Sequence, residues 1–113
     1  MATTLTAELP TLSITRGFTI RTKFLGPTNA KGSRVKATYK RDNDRTWTAT
    51  THWNHSLCAE RNHLACAQQL VEDLSEDRRL YFESVGAADE FHKFEIVACG
   101  WDADHYYFLA AAQ

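Results

Sequence analysis

Two stretches of period-two alternation near the start of the chain constrain its fold most strongly. Residues 18–25 read FTIRTKFL and residues 34–40 read RVKATYK, so apolar and polar side chains alternate along both stretches, with exceptions at Thr22 and Leu25. Because successive side chains of a strand point to opposite faces, this pattern predicts two half-buried β-strands. The connection between them, GPTNAKGS at residues 26–33, contains one proline and two glycines and predicts a turn.

The rest of the chain adds one helix and further strands. RTWTATTHW, residues 45–53, is rich in β-branched and aromatic residues and predicts a third strand ending near Trp53. Ser56 is the expected N-cap of a helix that runs to about Leu74. The expected buried face of that helix is apolar and comprises Leu57, Leu64, Ala67, Leu70, Val71 and Leu74. LYFESV, residues 80–85, fits either a short strand or a last helical turn. HKFEIVACGW and HYYFLAAA predict a closing hairpin.

The predicted fold is therefore α+β, an antiparallel sheet of order β-β-β-α-β-β backed by one main helix. A chain of 113 residues with 43% apolar and 24% charged residues suits a single globular domain spanning residues 1–113. Residues 1–12, rich in threonine, are expected to form a loose arm. The first residues do not resemble a signal peptide, no apolar run approaches about 20 residues, and three cysteines suit reduced thiols. These features predict a cytoplasmic protein without membrane contact.

The charge is distributed unevenly along a chain whose formal net charge is only −1. Residues 1–45 contain nine Lys or Arg and three acids, whereas residues 46–113 contain four Lys or Arg and eleven acids. Such a division creates two oppositely charged surfaces or lets the two halves attract each other. If the first two strands pair as a hairpin, five cations share the face away from the helix: Arg21, Lys23, Arg34, Lys36 and Lys40.

Five cations on one sheet face without an acid among them predict an anionic partner. Arg and Lys on adjacent strands suit successive phosphates, and the glycine-rich turn is expected to offer backbone N–H groups. The predicted nucleic-acid or anion-binding residues are Arg21, Lys23, Asn29, Lys31, Arg34, Lys36 and Lys40. A solvated sheet face and an acidic protein partner remain alternatives. The stacking aromatics of a single-strand binder are incomplete, since Tyr39 falls on the expected buried side and only Trp47 and Trp53 are otherwise close in sequence.

The segment HWNHSLCAERNHLAC has histidines and cysteines that invite a zinc or thiol-nucleophile interpretation. Eight residues separate Cys58 from Cys66, about 12 Å along a helix, too far for one shared ion. Asp102 to His105 is explained by a hairpin turn, and the acid pairs at 72–73 and 76–77 are explained by a solvated helix end. We therefore predict no metal, no cofactor and no catalytic residue.

The run RTKFLGPTNAKGSRVKAT, followed by HWNHSLCAERNHLACAQQLVEDL and the aromatic HYYFLAA, resembles a group of small uncharacterised proteins encoded by bacterial plasmids, phages and related mobile elements. The resemblance covers residues 18–74 and, more loosely, the C-terminal segment, and it includes His55, Asn62 and His63. Residues 75–92 depart from the pattern of that group. The resemblance implies a mobile-element origin and a one-domain α+β fold, and it implies no chemistry.

These observations favour a non-enzymatic accessory protein that binds nucleic acid through a basic β-hairpin face. The alternative is a protein-binding inhibitor of a host defence or nuclease complex, an anti-defence factor. The sequence leaves open whether the nucleic acid is DNA or RNA, single- or double-stranded, and which protein complex an inhibitor would contact.

Overall fold

The computed structural model describes residues 17–112, which contain five strands and one long helix. In chain order these are β1 (Phe18–Leu25), β2 (Arg34–Lys40), β3 (Thr46–His52), α1 (Ala59–Ser84), β4 (Phe94–Trp101) and β5 (Tyr106–Ala112). A 3₁₀ helix, Ala88–Glu90, lies between α1 and β4. The order confirms the predicted α+β fold. The arm expected at residues 1–12 lies outside the described residues.

The five strands form one antiparallel sheet in the order β3-β2-β1-β5-β4. Strands β1 and β2 pair as the predicted hairpin, and β4 and β5 pair as the predicted closing hairpin. The register of β4 shifts between Ile96 and Ala98, which leaves Val97 as an extra residue in an edge strand. Bulges of this kind interrupt the hydrogen-bonding edge and discourage pairing with another chain.

Helix α1 covers one face of the sheet and contacts all five strands. The core between them consists of apolar side chains and the Cys66 thiol, and comprises Ile20, Val35, Ala37, Cys66, Ala67, Leu70, Val71, Leu74, Phe108 and Ala110. Four polar residues are buried as well: Thr22, Asn62, His63 and Ser75. Ala37 pairs directly with Ala49 across β2 and β3, and these small side chains let the helix approach the sheet closely. The Cys66 thiol consequently lies 3.2 Å from the carbonyl oxygen of Val35 and 3.4 Å from that of Ala49. The burial of this thiol raises its pKa.

The helix differs from the sequence prediction at both ends. Its N-cap is Cys58, whose side chain makes no capping hydrogen bond, so the prediction of Ser56 was wrong. Leu57 precedes the helix and is exposed rather than part of its buried face. At the other end α1 continues beyond Leu74 to Ser84, which makes LYFESV helical up to Ser84.

The extra helical turns have a clear stop signal at Gly86. Gly86 has a φ of 76°, its N–H donates to the carbonyl of Glu83, and the N–H of Ala87 donates to the carbonyl of Phe82. This pair of bonds is the Schellman motif, in which a left-handed glycine terminates a helix. The acid pairs at 72–73 and 76–77 therefore lie on the exposed side of the middle of α1 and not at its end.

No helix within residues 17–112 has an apolar stretch capable of crossing a membrane, since charged residues interrupt α1 throughout its second half.

Candidate nucleic-acid interface

The face of the sheet opposite α1 carries the five predicted cations. Alternation along β1 and β2 buries Ile20, Thr22, Val35 and Ala37 against the helix and directs the intervening residues to the other side. We call the set on that side the basic face: Arg21, Lys23, Arg34, Lys36 and Lys40. All are exposed except Arg34, which is partly covered. The predicted hairpin geometry of these residues is thus confirmed.

The strand register places two of these cations directly opposite each other. Lys23 pairs with Lys36 across β1 and β2. Directly opposed residues have Cβ atoms about 5 Å apart, and like charges in such positions destabilise the sheet. Within residues 17–112 no cation of the basic face has a carboxylate oxygen within 4.0 Å; the ion pairs lie within α1 and within the β4–β5 hairpin. The repulsion on this face is therefore not relieved by a neighbouring acid there.

Strand β3 widens the basic face with neutral hydrogen-bonding groups. Thr50 lies opposite Lys36, Thr48 lies opposite Thr38, and Thr46 lies opposite Lys40. His52 completes this strand opposite Arg34. These residues were not among the predicted site residues, although the alternation in TWTATTH places Thr46, Thr48, Thr50 and His52 on one face. They form a row of hydroxyl groups beside the lysines and suit the binding of phosphate oxygens.

On the other side of β1, Tyr107 of β5 extends the basic face. It pairs with Arg21, and its hydroxyl donates a hydrogen bond to Asp102 Oδ2 over 2.8 Å. That bond raises the pKa of Tyr107. The backbone N–H of Asp104, the Tyr107 hydroxyl and the backbone N–H of His105 lower the pKa of Asp102. Asp102 thus stabilises the turn between β4 and β5, as the sequence predicted for this segment. It places a carboxylate next to Tyr107 at the border of the basic face.

The connection between β1 and β2 is ordered by its own hydrogen bonds. Thr28 Oγ1 accepts from the backbone N–H groups of Lys31, over 3.0 Å, and Ala30, over 3.3 Å, while the N–H of Thr28 donates to the carbonyl of Lys31. These three N–H groups are therefore occupied within the loop and are not open to an anion. The side chains of Asn29 and Lys31 are exposed in this loop, beyond the sheet ends of Leu25 and Arg34.

The aromatic residues near the hairpin lie on the helix side of the sheet. Tyr39 stacks on Trp47 at a centroid distance of 5.5 Å, and Phe24 meets Trp53 edge to face at 5.1 Å. Both pairs occupy the face that α1 covers. The basic face thus offers charges and hydroxyl groups, which suit a phosphate backbone, rather than the stacking platform that unpaired bases require.

The histidines and cysteines of the 52–66 segment do not converge. His63 Nδ1 lies 2.7 Å from Thr22 Oγ1, and Cys66 contacts strand carbonyls, whereas His55 and Cys58 are exposed. Within the described part of the chain no three His, Cys, Asp or Glu side chains are placed to share an ion. The absence of bound zinc remains a prediction for metal analysis of the purified protein.

Comparison with protein-family models, curated proteins and solved structures finds no match to this chain.

Proposed function

We propose that the protein binds nucleic acid through the phosphate contacts of its basic face, without catalysing a reaction. The observation that carries the proposal is the direct pairing of Lys23 with Lys36, with no carboxylate of residues 17–112 close enough to offset their charge. A phosphate group between the two lysines would replace their repulsion with two attractive contacts. The proposal extends to the mobile-element origin that the sequence resemblance implies.

The distribution of the remaining charge supports a directional interaction. Helix α1, which covers the opposite face of the sheet from the basic face, carries four exposed acids in its middle: Glu72, Asp73, Glu76 and Asp77. The two charged surfaces thus lie on opposite sides of the molecule. A polyanion approaching it is attracted by the open sheet face and repelled by the helix, so association is oriented before contact.

The chemistry of the basic face favours recognition without sequence reading. Its side chains are cations and hydroxyl groups, which contact phosphate oxygens and fix position but do not distinguish bases. We therefore expect duplex and single-stranded oligonucleotides of different sequence to bind with similar affinity at a given salt concentration. The predicted residues Asn29 and Lys31 would extend the contact beyond the ends of β1 and β2.

The test is a titration of labelled single- and double-stranded oligonucleotides at low salt with the wild type, Lys36→Ala and Lys93→Ala. Lys93 is an exposed lysine on the helix side, near Glu72 and Ser75, and is the matched control for loss of one positive charge. Lys36→Ala is expected to weaken binding to every oligonucleotide, and Lys93→Ala is expected to leave it nearly unchanged. Equal weakening by both variants would show that net charge, and not the basic face, governs binding.

The alternative function, inhibition of a host defence or nuclease complex through an acidic protein surface, would use the same lysines. It predicts that no oligonucleotide binds at low salt, while Lys36→Ala still abolishes capture of a partner from nuclease-treated host lysate. That combination would replace the nucleic-acid proposal with the inhibitor.

A further inference from the structure

A cleft of about 650 Å³ lies on the opposite side of the sheet from the basic face. It opens between the turn that joins β2 to β3 and the second half of α1. Tyr39 and Trp47 contribute aromatic rings, the turn contributes Arg41 and Arg45, and the helix contributes Arg78. Volumes of 300–1,000 Å³ are usual for sites that bind small molecules.

The aromatic part of the cleft is a continuous row of rings across the sheet. Trp47 and Tyr39 are parallel within 13° with centroids 5.5 Å apart, and Phe18 lies 4.6 Å from Tyr39. Phe94 meets Phe18 edge to face at 5.0 Å. Trp47 is the end of the row, because β3 is an edge strand, and it is only partly buried. The row thus ends in an indole that can stack on a further planar group.

Hydrogen bonds within the turn between β2 and β3 fix the backbone of the two arginines that it contributes to the cleft. Asp42 Oδ1 accepts hydrogen bonds of 2.9 Å from the backbone N–H groups of both Asp44 and Arg45, and the N–H of Arg41 donates to the carbonyl of Arg45. These bonds fix the backbone from which the two guanidinium groups extend. Within residues 17–112 neither Arg41, Arg45 nor Arg78 has a carboxylate oxygen within 4.0 Å.

We propose that this cleft binds a nucleotide, with the base stacked against Trp47 and the phosphate held by Arg41, Arg45 and Arg78. A planar base can stack on the indole at the end of the aromatic row. Each guanidinium group can donate two parallel hydrogen bonds to the oxygens of a phosphate. Asp77, which also lines the cleft, accepts hydrogen bonds from a sugar hydroxyl or an exocyclic amine. A free nucleotide and the 5′-phosphorylated end of a strand present the same chemistry.

The site is independent of the basic face, because the sheet separates the two surfaces. The nucleotide proposal therefore goes beyond the proposed function, and each can fail while the other holds. Lys23→Ala is expected to leave nucleotide binding unchanged, and Arg45→Ala is expected to leave the salt-dependent binding of long duplexes mostly intact.

The test follows the indole N–H resonances of Trp47 and Trp101 during titration with AMP and with a 5′-phosphorylated dinucleotide. Trp101 is 69% exposed on the opposite edge strand and is the internal control. We expect the Trp47 resonance to shift and saturate while that of Trp101 stays in place. Saturation by both probes shows that a free nucleotide suffices, and saturation by the dinucleotide alone identifies a strand end as the source.

Arginine variants provide the second readout. Arg45→Ala removes an exposed side chain and is expected to weaken binding about tenfold, the usual loss for a charge-assisted hydrogen bond. Arg61→Ala, an exposed arginine of α1 outside this cleft, is the matched control and should change the affinity less than twofold. The proposal is overturned if neither probe moves the Trp47 resonance at millimolar concentration, if Arg61→Ala weakens binding as much as Arg45→Ala, or if inorganic phosphate binds as tightly as AMP.

Discussion

Asn62 anchors the loop that precedes α1 to the helix itself. Its Oδ1 accepts from the N–H of Asn54 over 2.8 Å, and its Nδ2 lies within hydrogen-bonding distance of three carbonyls, those of Asn54, Leu57 and Cys58. The side chain is 3% exposed. The Asn62 side chain thus satisfies backbone groups of the loop and holds the loop against the first turn of α1.

Asn62→Ala is therefore expected to destabilise the protein by about 2–3 kcal/mol, since the backbone groups of Asn54, Leu57 and Cys58 lose their hydrogen bonds to this side chain. Asn62→Asp keeps the shape and the acceptor but removes both N–H donors and faces three carbonyl oxygens with a carboxylate. We expect it to be at least as destabilising as Asn62→Ala in urea unfolding at pH 7. Near wild-type stability of Asn62→Asp would show that the donor hydrogen bonds contribute little.

His63 is another polar residue of the buried helix face, which also includes Ser75. Its ring stacks on Tyr106 at 4.3 Å, meets Trp53 edge to face at 6.2 Å and shares a hydrogen bond with Thr22. Burial disfavours the charged imidazolium and lowers the pKa of His63. The unfolded chain, with a histidine pKa near 6.5, then binds a proton at higher pH than the folded chain does.

The free energy of unfolding should consequently be largest above about pH 6.5 and fall as the pH decreases from there to the lowered pKa of folded His63. Over that interval the slope approaches about 1.4 kcal/mol per pH unit. Urea unfolding of the wild type and of His63→Gln at pH 5 and pH 7.5 checks this, with His55→Gln, an exposed histidine, as control. The wild type and His55→Gln should lose more stability at pH 5 than His63→Gln does, and identical pH dependence of all three would contradict the role of His63.

At the scale of elements, the sequence pattern predicted part of the buried face of α1 but not all of it, and not the end of the helix. The apolar positions Ala67, Leu70, Val71 and Leu74 are buried as the sequence predicted. Asn62, His63 and Cys66 lie on the same buried face, although a prediction from hydrophobicity alone assigns polar residues to solvent. The helical spacing of positions 63, 67, 70 and 74 was the signal that could have predicted the burial of His63. The charged run after Leu74 does not end the helix, since Arg79 pairs with Glu76 and Glu83 along its surface.

The helix end at Gly86 gives a direct test of the Schellman motif. Gly86→Ala forces a side chain into the left-handed region and should destabilise the protein by about 1 kcal/mol. Gly32→Ala is the matched control, because Gly32 has no positive φ and a Cβ there meets no atom within 4 Å. Its stability should stay at or slightly above that of the wild type. Equal stability of the two variants in thermal unfolding would contradict this account of the helix end.

At the scale of the whole molecule, the uneven charge of the sequence becomes two separate surfaces. Within residues 17–112 no ion pair joins the cations of β1 and β2 to the acids of α1, so the two halves do not neutralise each other. The basic face was predictable from alternation in two neighbouring strands. The nucleotide cleft was not, because its turn and its helical wall are more than thirty residues apart in sequence and meet only through packing.

The salt dependence of oligonucleotide binding tests the central claim most directly. Binding through phosphates releases counterions, so the logarithm of the association constant falls linearly with the logarithm of salt concentration, by about 0.7–0.9 per contacted phosphate. The double variant Lys23→Ala/Lys36→Ala should melt at the wild-type temperature or slightly above it. The magnitude of its salt slope should be smaller than that of the wild type by about 1.4–1.8. An unchanged slope in the double variant, or no binding of the wild type to any oligonucleotide at low salt, would contradict the account.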